Sequence, residues 1–182
     1  MSATVRPRRT QRERREATIA ALLVAARDRF AQDGYAATSL DAIATDAGVT
    51  KGALYHHFDG KEELFAAVHA REHRRLGAAA EAAAGEARDP WAAVEAACVA
   101  FARAAREPGT QRITLHDAPL ALSRSALNAT PLHDLLARSA PRPLARLLHA
   151  ATLEAAASTV LDDPSGTAED ELRRLIRGLA TG

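Results

Sequence analysis

Two short stretches hold most of the residue types that can do chemistry. The first, Thr50-Lys51-Gly52-Ala53-Leu54-Tyr55-His56-His57, sets a hydroxyl, a cation, a phenol and two imidazoles on one short segment. Lys51 can donate to guanine O6 or N7 or pair with a phosphate, and the Ala53 methyl can meet a thymine methyl. Gly52 and Ala53 also leave room for the backbone to approach a groove. The second stretch, His69-Ala-Arg-Glu72-His73, has the H-x-x-E-H spacing of an inverted zinc-protease motif. Histidines at i and i+4 share a helical face and can bind zinc, with the glutamate as general base. Such a site needs a third ligand, and nothing in the spacing selects among His116, Asp117 and His133. Arg71, Glu72, Arg74 and Arg75 around the pair point instead to a solvated face.

Cys98 is the only cysteine, which excludes an internal disulfide and an all-cysteine zinc site. It falls on the stripe Trp91, Val94, Cys98, Phe101 and Ala105, and so reads as a small buried hydrophobe rather than a nucleophile. No glycine-rich phosphate loop or nucleotide motif is present, and no cofactor is expected.

These residues must be positioned by helices. Alanine makes up about a quarter of the 182 residues and aromatics only 4%, with few Val and Ile, which favours helix over sheet. No proline interrupts the chain between Pro7 and Pro90. A first helix is expected over 12–32, ended by Gly34. Thr38 with Asp41 should cap a second helix over 39–47, stopped by Gly48. Thr50 should cap a third over 51–57, and Asp59 with Glu62 a fourth over 60–84. Two short helices joined by a turn at Gly48 form a helix-turn-helix pattern, with Leu54 and Phe58 inward and Lys51, Gly52, Ala53, Tyr55 and His56 outward.

Asp89-Pro90 should open a fifth helix, ended by Pro108-Gly109. Short helices then follow over 110–118, 120–128 and 132–139. From Leu144 to Val160 only Arg146 and Glu154 carry formal charge. Leu144, Leu147, Leu148 and Ala151 form one apolar face, and Leu153, Ala156 and Val160 another. A last helix from Thr167 should bury Leu172, Leu175, Ile176 and Leu179. Two apolar faces on one helix suggest burial within the subunit and against a second chain.

The net charge of +1 conceals an uneven distribution. The first fifteen residues carry Arg6, Arg8, Arg9, Arg12, Arg14 and Arg15 against Glu13, an arm able to neutralise phosphates. The only two lysines are Lys51 and Lys61. A cation at Lys61, in the first turn of the fourth helix, opposes the helix dipole, and a helix N-terminus beside a lysine can seat a phosphate. The longest apolar stretch, 17–26, is ten residues where about twenty are needed to span a membrane. The charges of Arg27, Asp28 and Arg29 follow at once, which argues against a signal peptide.

The run from Gly34 to Phe65, GYAATSLDAIATDAGVTKGALYHHFDGKEELF, resembles the DNA-binding domain of TetR-family transcriptional regulators. Asp117–Leu120, DAPL, is a weaker further echo. The resemblance implies an all-α fold with an N-terminal three-helix DNA-binding domain over 1–61, including the basic arm. A helical ligand-binding and dimerisation domain would follow over 62–182. It implies a cytoplasmic homodimer that binds double-stranded operator DNA, and a repressor released by a small-molecule effector. Thr50, Lys51, Gly52, Ala53, Tyr55, His56 and Lys61 are the expected DNA contacts, with Tyr55 and Lys61 matching the family's phosphate contacts. A cavity at the family's usual place would be lined by Trp91, Phe101, His116 and Leu148. The rival reading is a helical metal-binding protein or hydrolase using His69, Glu72 and His73.

Overall fold

The structure is a computed structural model that describes residues 10–123, 131–139, 142–161 and 167–180. Arg6, Arg8 and Arg9 of the basic arm, the 124–128 part of the helix expected over 120–128, and the Val160 side chain lie outside the described residues. Every regular element among those described is helical, as expected. They are α1 (Gln11–Ala37), α2 (Leu40–Asp46), α3 (Lys51–His57), α4 (Lys61–Gly85), α5 (Pro90–Ala105) and α6 (Pro108–Gln111). A π-helical segment (Arg112–Asp117) follows, then α7 (Ala118–Ala121), α8 (Pro131–Ser139), α9 (Arg142–Leu161) and α10 (Thr167–Ala180).

Caps explain most boundaries. Thr10 and Glu13 form a capping box that starts α1, a signal missed in the sequence reading. Thr50 accepts from the Ala53 amide at 3.2 Å to start α3, and Asp89 accepts from Trp91 and Ala92 to start α5, both as expected. Three expected boundaries need correction. Ser39, not Thr38, caps α2, because the buried Thr38 hydroxyl donates instead to Gly34 O at 2.7 Å. Gly60 caps α4 without a side-chain bond, and Glu63 rather than Glu62 reaches back to the Asp59 amide. Pro108 does follow the end of α5, but it also opens α6, where Glu107 accepts from the Gly109 and Thr110 amides. The helix expected over 110–118 therefore begins earlier and passes into the π-helical segment.

The buried side chains fall into two clusters, and α4 contributes to both. One joins Leu22, Ala26 and Phe30 of α1 to Ile43, Leu54, Phe58, Leu64, Phe65 and Val68, with Ile113 and Ala118 packed on the same side. Phe30 and Phe65 meet edge to face at 4.9 Å, and each such ring contributes about 1.5–3 kcal/mol through burial. The other cluster joins Leu76 and Ala80 of α4 to Val94, Cys98 and Phe101 of α5, then to Leu136, Leu148, Leu172 and Ile176. Cys98 is buried as expected, and burial pushes its thiol up to about 11.

Within the single chain, α10 buries Leu172 and Ile176, whereas Leu175 and Leu179, expected to be buried with them, remain 44% and 37% exposed without a second chain. Leu147 of α9 is likewise 55% exposed while its neighbour Leu148 is fully buried. One helical face cannot hold all the apolar positions that the sequence supplies, so the remainder face outward.

The last turn of α1 bends at Gly34, whose φ of 81° and ψ of 167° suit only glycine. A Cβ there would also lie 2.6 Å from Arg112 Nη2. Gly48 has φ 67° with open space around it. Gly34→Ala should therefore cost about 3 kcal/mol of unfolding free energy and Gly48→Ala only about 1 kcal/mol. Urea denaturation of the two variants tests this, and equal costs would show that the Gly34 bend is not strained by a side chain.

Candidate nucleic-acid interface

With Leu54 and Phe58 locked into the core, α3 must turn its other face outward. Lys51, Gly52, Tyr55 and His56 are exposed and Ala53 is half-buried, as the spacing implied. Thr50 is exposed and uses its oxygen as the α3 cap, leaving its hydroxyl hydrogen free to donate. The His56 and His57 rings lie 5.2 Å apart. His57 is turned partly inward; its Nδ1 is buried without a partner among the described residues, and burial, aided by His56 and Arg15, lowers its pKa.

The two lysines have different surroundings. Lys51 Nζ lies 2.8 and 3.0 Å from the two carboxylate oxygens of Asp41, in the first turn of α2. The sequence pattern marks Asp41 only as part of a cap and carries no sign of its place beside the outward face of α3. Lys61 Nζ donates to the carbonyls of Tyr35, Ala36 and Thr38 at 2.9, 3.2 and 3.1 Å. It also sits 4.6 Å from the Tyr35 ring centroid. All three of its donors are therefore used inside the protein, and a direct phosphate bond would have to displace one of them. Cations suit helix C-terminal carbonyls, so the lysine that seemed misplaced at the start of α4 is well placed at the end of α1.

Behind this surface lies a polar layer between α1, α4 and α6. Glu72, buried on α4, accepts from Arg27 Nε at 3.4 Å, Arg75 Nη2 at 3.1 Å and the Thr110 hydroxyl at 2.7 Å. Arg27 also reaches Glu107 at 2.7 Å, and Arg75 donates to Thr110. The expectation of a solvated H-x-x-E-H face is thus wrong, since His69, Glu72 and His73 are all buried. The surrounding arginines mislead because one of them, Arg75, pairs with Glu72, while Arg27 of α1 reaches the same carboxylate from across the interface. The Glu72 oxygens are taken up by Arg27, Arg75 and Thr110, and among the described residues no set of three His, Cys, Asp or Glu gathers around a common point. The His69 and His73 rings stand 4.3 Å apart, and His73 lies 6.1 Å from Phe101. Burial holds His69 down to about 4 and His73 down to about 3, and His73 Nδ1 has no hydrogen-bond partner among the described residues.

Of the four expected cavity residues, Phe101 and Leu148 belong to one buried cluster and Trp91 packs against it. His116 does not join them; it is exposed on the π-helical segment, where i→i+5 bonding changes which residues share a face.

A three-helix head that presents α3 outward, continued by α4 into a helical body, defines a helix-turn-helix DNA-binding protein. The chain belongs to the TetR family of bacterial regulatory proteins. Residues 22–68 match the family's regulatory-protein domain, and residues 91–182 match a tetracyclin repressor-like C-terminal domain. It is a transcriptional regulator with a DNA-binding domain, and the family consists of transcription factors rather than enzymes, which sets aside the hydrolase reading. A TetR-family regulator from Pectobacterium atrosepticum has a similar crystal structure, with 31% identity, a TM-score of 0.71, and 94% of this chain and 95% of that one covered. The TetC protein of transposon Tn10 from Escherichia coli is 42% identical over 62 residues, 34% of this chain and 32% of that protein. The transcriptional activator FasR of Mycolicibacterium smegmatis is 46% identical over 61 residues, 34% of this chain and 28% of its own length. The chain thus matches under a third of the length of these two relatives.

Two measurements probe the geometry. Lys61→Met should lower the unfolding free energy of the DNA-free protein by about 2 kcal/mol, because three carbonyls lose a charged donor. Unchanged DNA-free stability would return Lys61 to a purely phosphate-binding role. His69 and His73 take up protons more readily unfolded than folded, so their contribution to stability is full above the ordinary histidine value of 6.5 and is lost as pH falls toward about 4 and then about 3. Urea midpoints measured across that range should fall less steeply in His73→Gln, and parallel curves would exclude His73 as a source of the acid sensitivity.

Proposed function

We propose that the protein is a cytoplasmic, homodimeric repressor that leaves its operator when a small-molecule effector enters its body. The observation that carries this reading is the outer face of α3, which has no core duty and is joined through α4 to an apolar helical body. Residues 1–61 form the DNA-binding unit with its basic arm, and residues 62–182 the ligand-binding and dimerisation unit, whose first helix, α4, also packs Leu64, Phe65 and Val68 into the head core. Lys51, Gly52, Ala53, Tyr55 and His56 meet double-stranded DNA, with Thr50 donating its hydroxyl to a phosphate. Lys61 supports them by holding the α1–α2 connection, and gives up a carbonyl only where a phosphate replaces it.

The effector site is proposed against Trp91, Phe101 and Leu148, where His73 adds a polar group with unused hydrogen-bonding capacity. His116, being exposed, is left out of it. A ligand wedged there would press on α4 and disturb the contacts of Glu72 with Arg27 and Thr110, which join the body to the head. It releases DNA only to the extent that it favours the conformation that fits DNA poorly. Dimerisation is proposed through α9 and α10. Their shared groove, of about 250 Å³, is lined by Ala151, Ala155, Leu172 and Leu175, and Leu147, Leu175 and Leu179 stand exposed in the single chain.

Selection of duplexes from a random pool tests the reading as a whole. The dimer should enrich a near-palindrome whose half-sites lie about one helical turn (~34–36 Å) apart. Leu175→Arg should sediment as a folded monomer and lose most of its affinity for that duplex, since an unpaired charge cannot be buried between the subunits. A folded Leu175→Arg dimer would place the interface elsewhere.

A further inference from the structure

We infer that Asp41 is a specificity-determining residue for DNA, acting by holding Lys51 toward base edges and away from phosphates. This rests on the proposed placing of Lys51 in the groove. The pair bridges α2 and α3, with Lys51 Nζ 2.8 Å from Asp41 Oδ1. Both side chains are open to solvent, Lys51 at 59% and Asp41 at 65%, so both are available to a partner lying across α3. Each sits in the first turn of its helix. An anion is favoured there and a cation is not, so Asp41 supplies the countercharge that Lys51 lacks on its own helix.

On DNA the consequence depends on where the ammonium goes. If Lys51 reaches for a phosphate, it abandons Asp41 and leaves a bare carboxylate facing a polyanion. If it donates to guanine O6 or N7, it can keep one Asp41 oxygen as a second partner, and the other can turn to accept from a neighbouring cytosine amine. Phosphate contacts dominate on any sequence, whereas base contacts are available only on the right one. Asp41 therefore penalises non-specific complexes more than the specific complex. Discrimination built from an unfavourable charge placed against the wrong partner is a general route to specificity. The countercharge also cancels the counterion release that a free Lys51 would add.

The experiment measures dissociation constants over a range of salt for the wild type, Asp41→Asn, Lys51→Gln and the double variant. Two duplexes of equal length are used, one selected by the wild type from a random pool and one with its sequence scrambled. Asp41→Asn should bind the scrambled duplex severalfold more tightly, with a salt slope steeper by about 0.9 per subunit, and change less on the selected duplex. Asp41→Glu, which keeps the charge, should retain the wild-type ratio. In the Lys51→Gln background, Asp41→Asn should give a smaller gain, alike on both duplexes, because the bare carboxylate then repels either one. An unchanged ratio between the duplexes in Asp41→Asn would overturn the inference. An equal gain on the scrambled duplex with and without Lys51 would also overturn it, showing that Asp41 only repels phosphates directly. If Lys51→Gln alone binds both duplexes like the wild type, the placing of Lys51 at the DNA fails first, and the role of Asp41 fails with it.

Discussion

Where α1 bends at Gly34, its terminal carbonyls run out of helical partners, and the rest of the molecule is arranged to supply them. Arg112 donates to Gln32 O and Asp33 O at 2.8 and 3.1 Å. Lys61 takes the carbonyls of Tyr35, Ala36 and Thr38, and the Thr38 hydroxyl takes that of Gly34. Asp117 accepts the Tyr35 amide at 2.8 Å. Hydrogen bonds to charged groups contribute about 1.5–3 kcal/mol each, so this one turn concentrates directional bonding from three separate elements. Two of its partners, Arg112 and Asp117, belong to the π-helical segment, and Lys61 begins α4. The placement of α2 and α3 is therefore set by residues outside the helix-turn-helix itself.

The Glu72 layer makes a second tie between the same parts, of a different kind. Burying a carboxylate is costly unless it is paired, and removing one partner of such a pair typically costs about 3–5 kcal/mol. Glu72 draws on α1 through Arg27, on α4 through Arg75 and on α6 through Thr110. Small movements of α4 against α6 must keep all these contacts or lose several together, which favours discrete arrangements over gradual bending. The buried His69 and His73 sit on either side of Glu72 along α4, in surroundings that exclude a further positive charge. The least forgiving electrostatics of α4 therefore lie at the middle of that helix.

Much of the fold was legible in the sequence because helices announce themselves locally. The caps at Thr50 and Asp89, the stop at Gly48, and the apolar spacing of Leu54 with Phe58 and of Val94, Cys98 and Phe101 all depend on residues within a turn or two. That same locality made the outward face of α3 readable, since fixing two inward residues fixes the others. It failed where two short-range signals compete for one residue. Thr38 looks like a cap until the neighbouring Gly34 carbonyl competes for its hydroxyl. Pro108 looks like a terminator until Glu107 caps the helix that it opens.

The sequence by itself therefore determined the all-helical architecture, the helix-turn-helix and the side of α3 that is exposed, because periodicity and capping are short-range physics. Only the tertiary structure decided what the charged residues do. Lys61 finds its acceptors 23–26 residues upstream, and Glu72 is neutralised from 45 residues away by Arg27 and reached by Thr110 from 38. Asp41 meets Lys51 only because the turn at Gly48 folds α2 against α3. Leu175 turns outward because Leu172 and Ile176 already fill the space beneath α10. A charge or a leucine carries no mark in the sequence of which partner it will meet, since that depends on chain segments brought together only when the cores close.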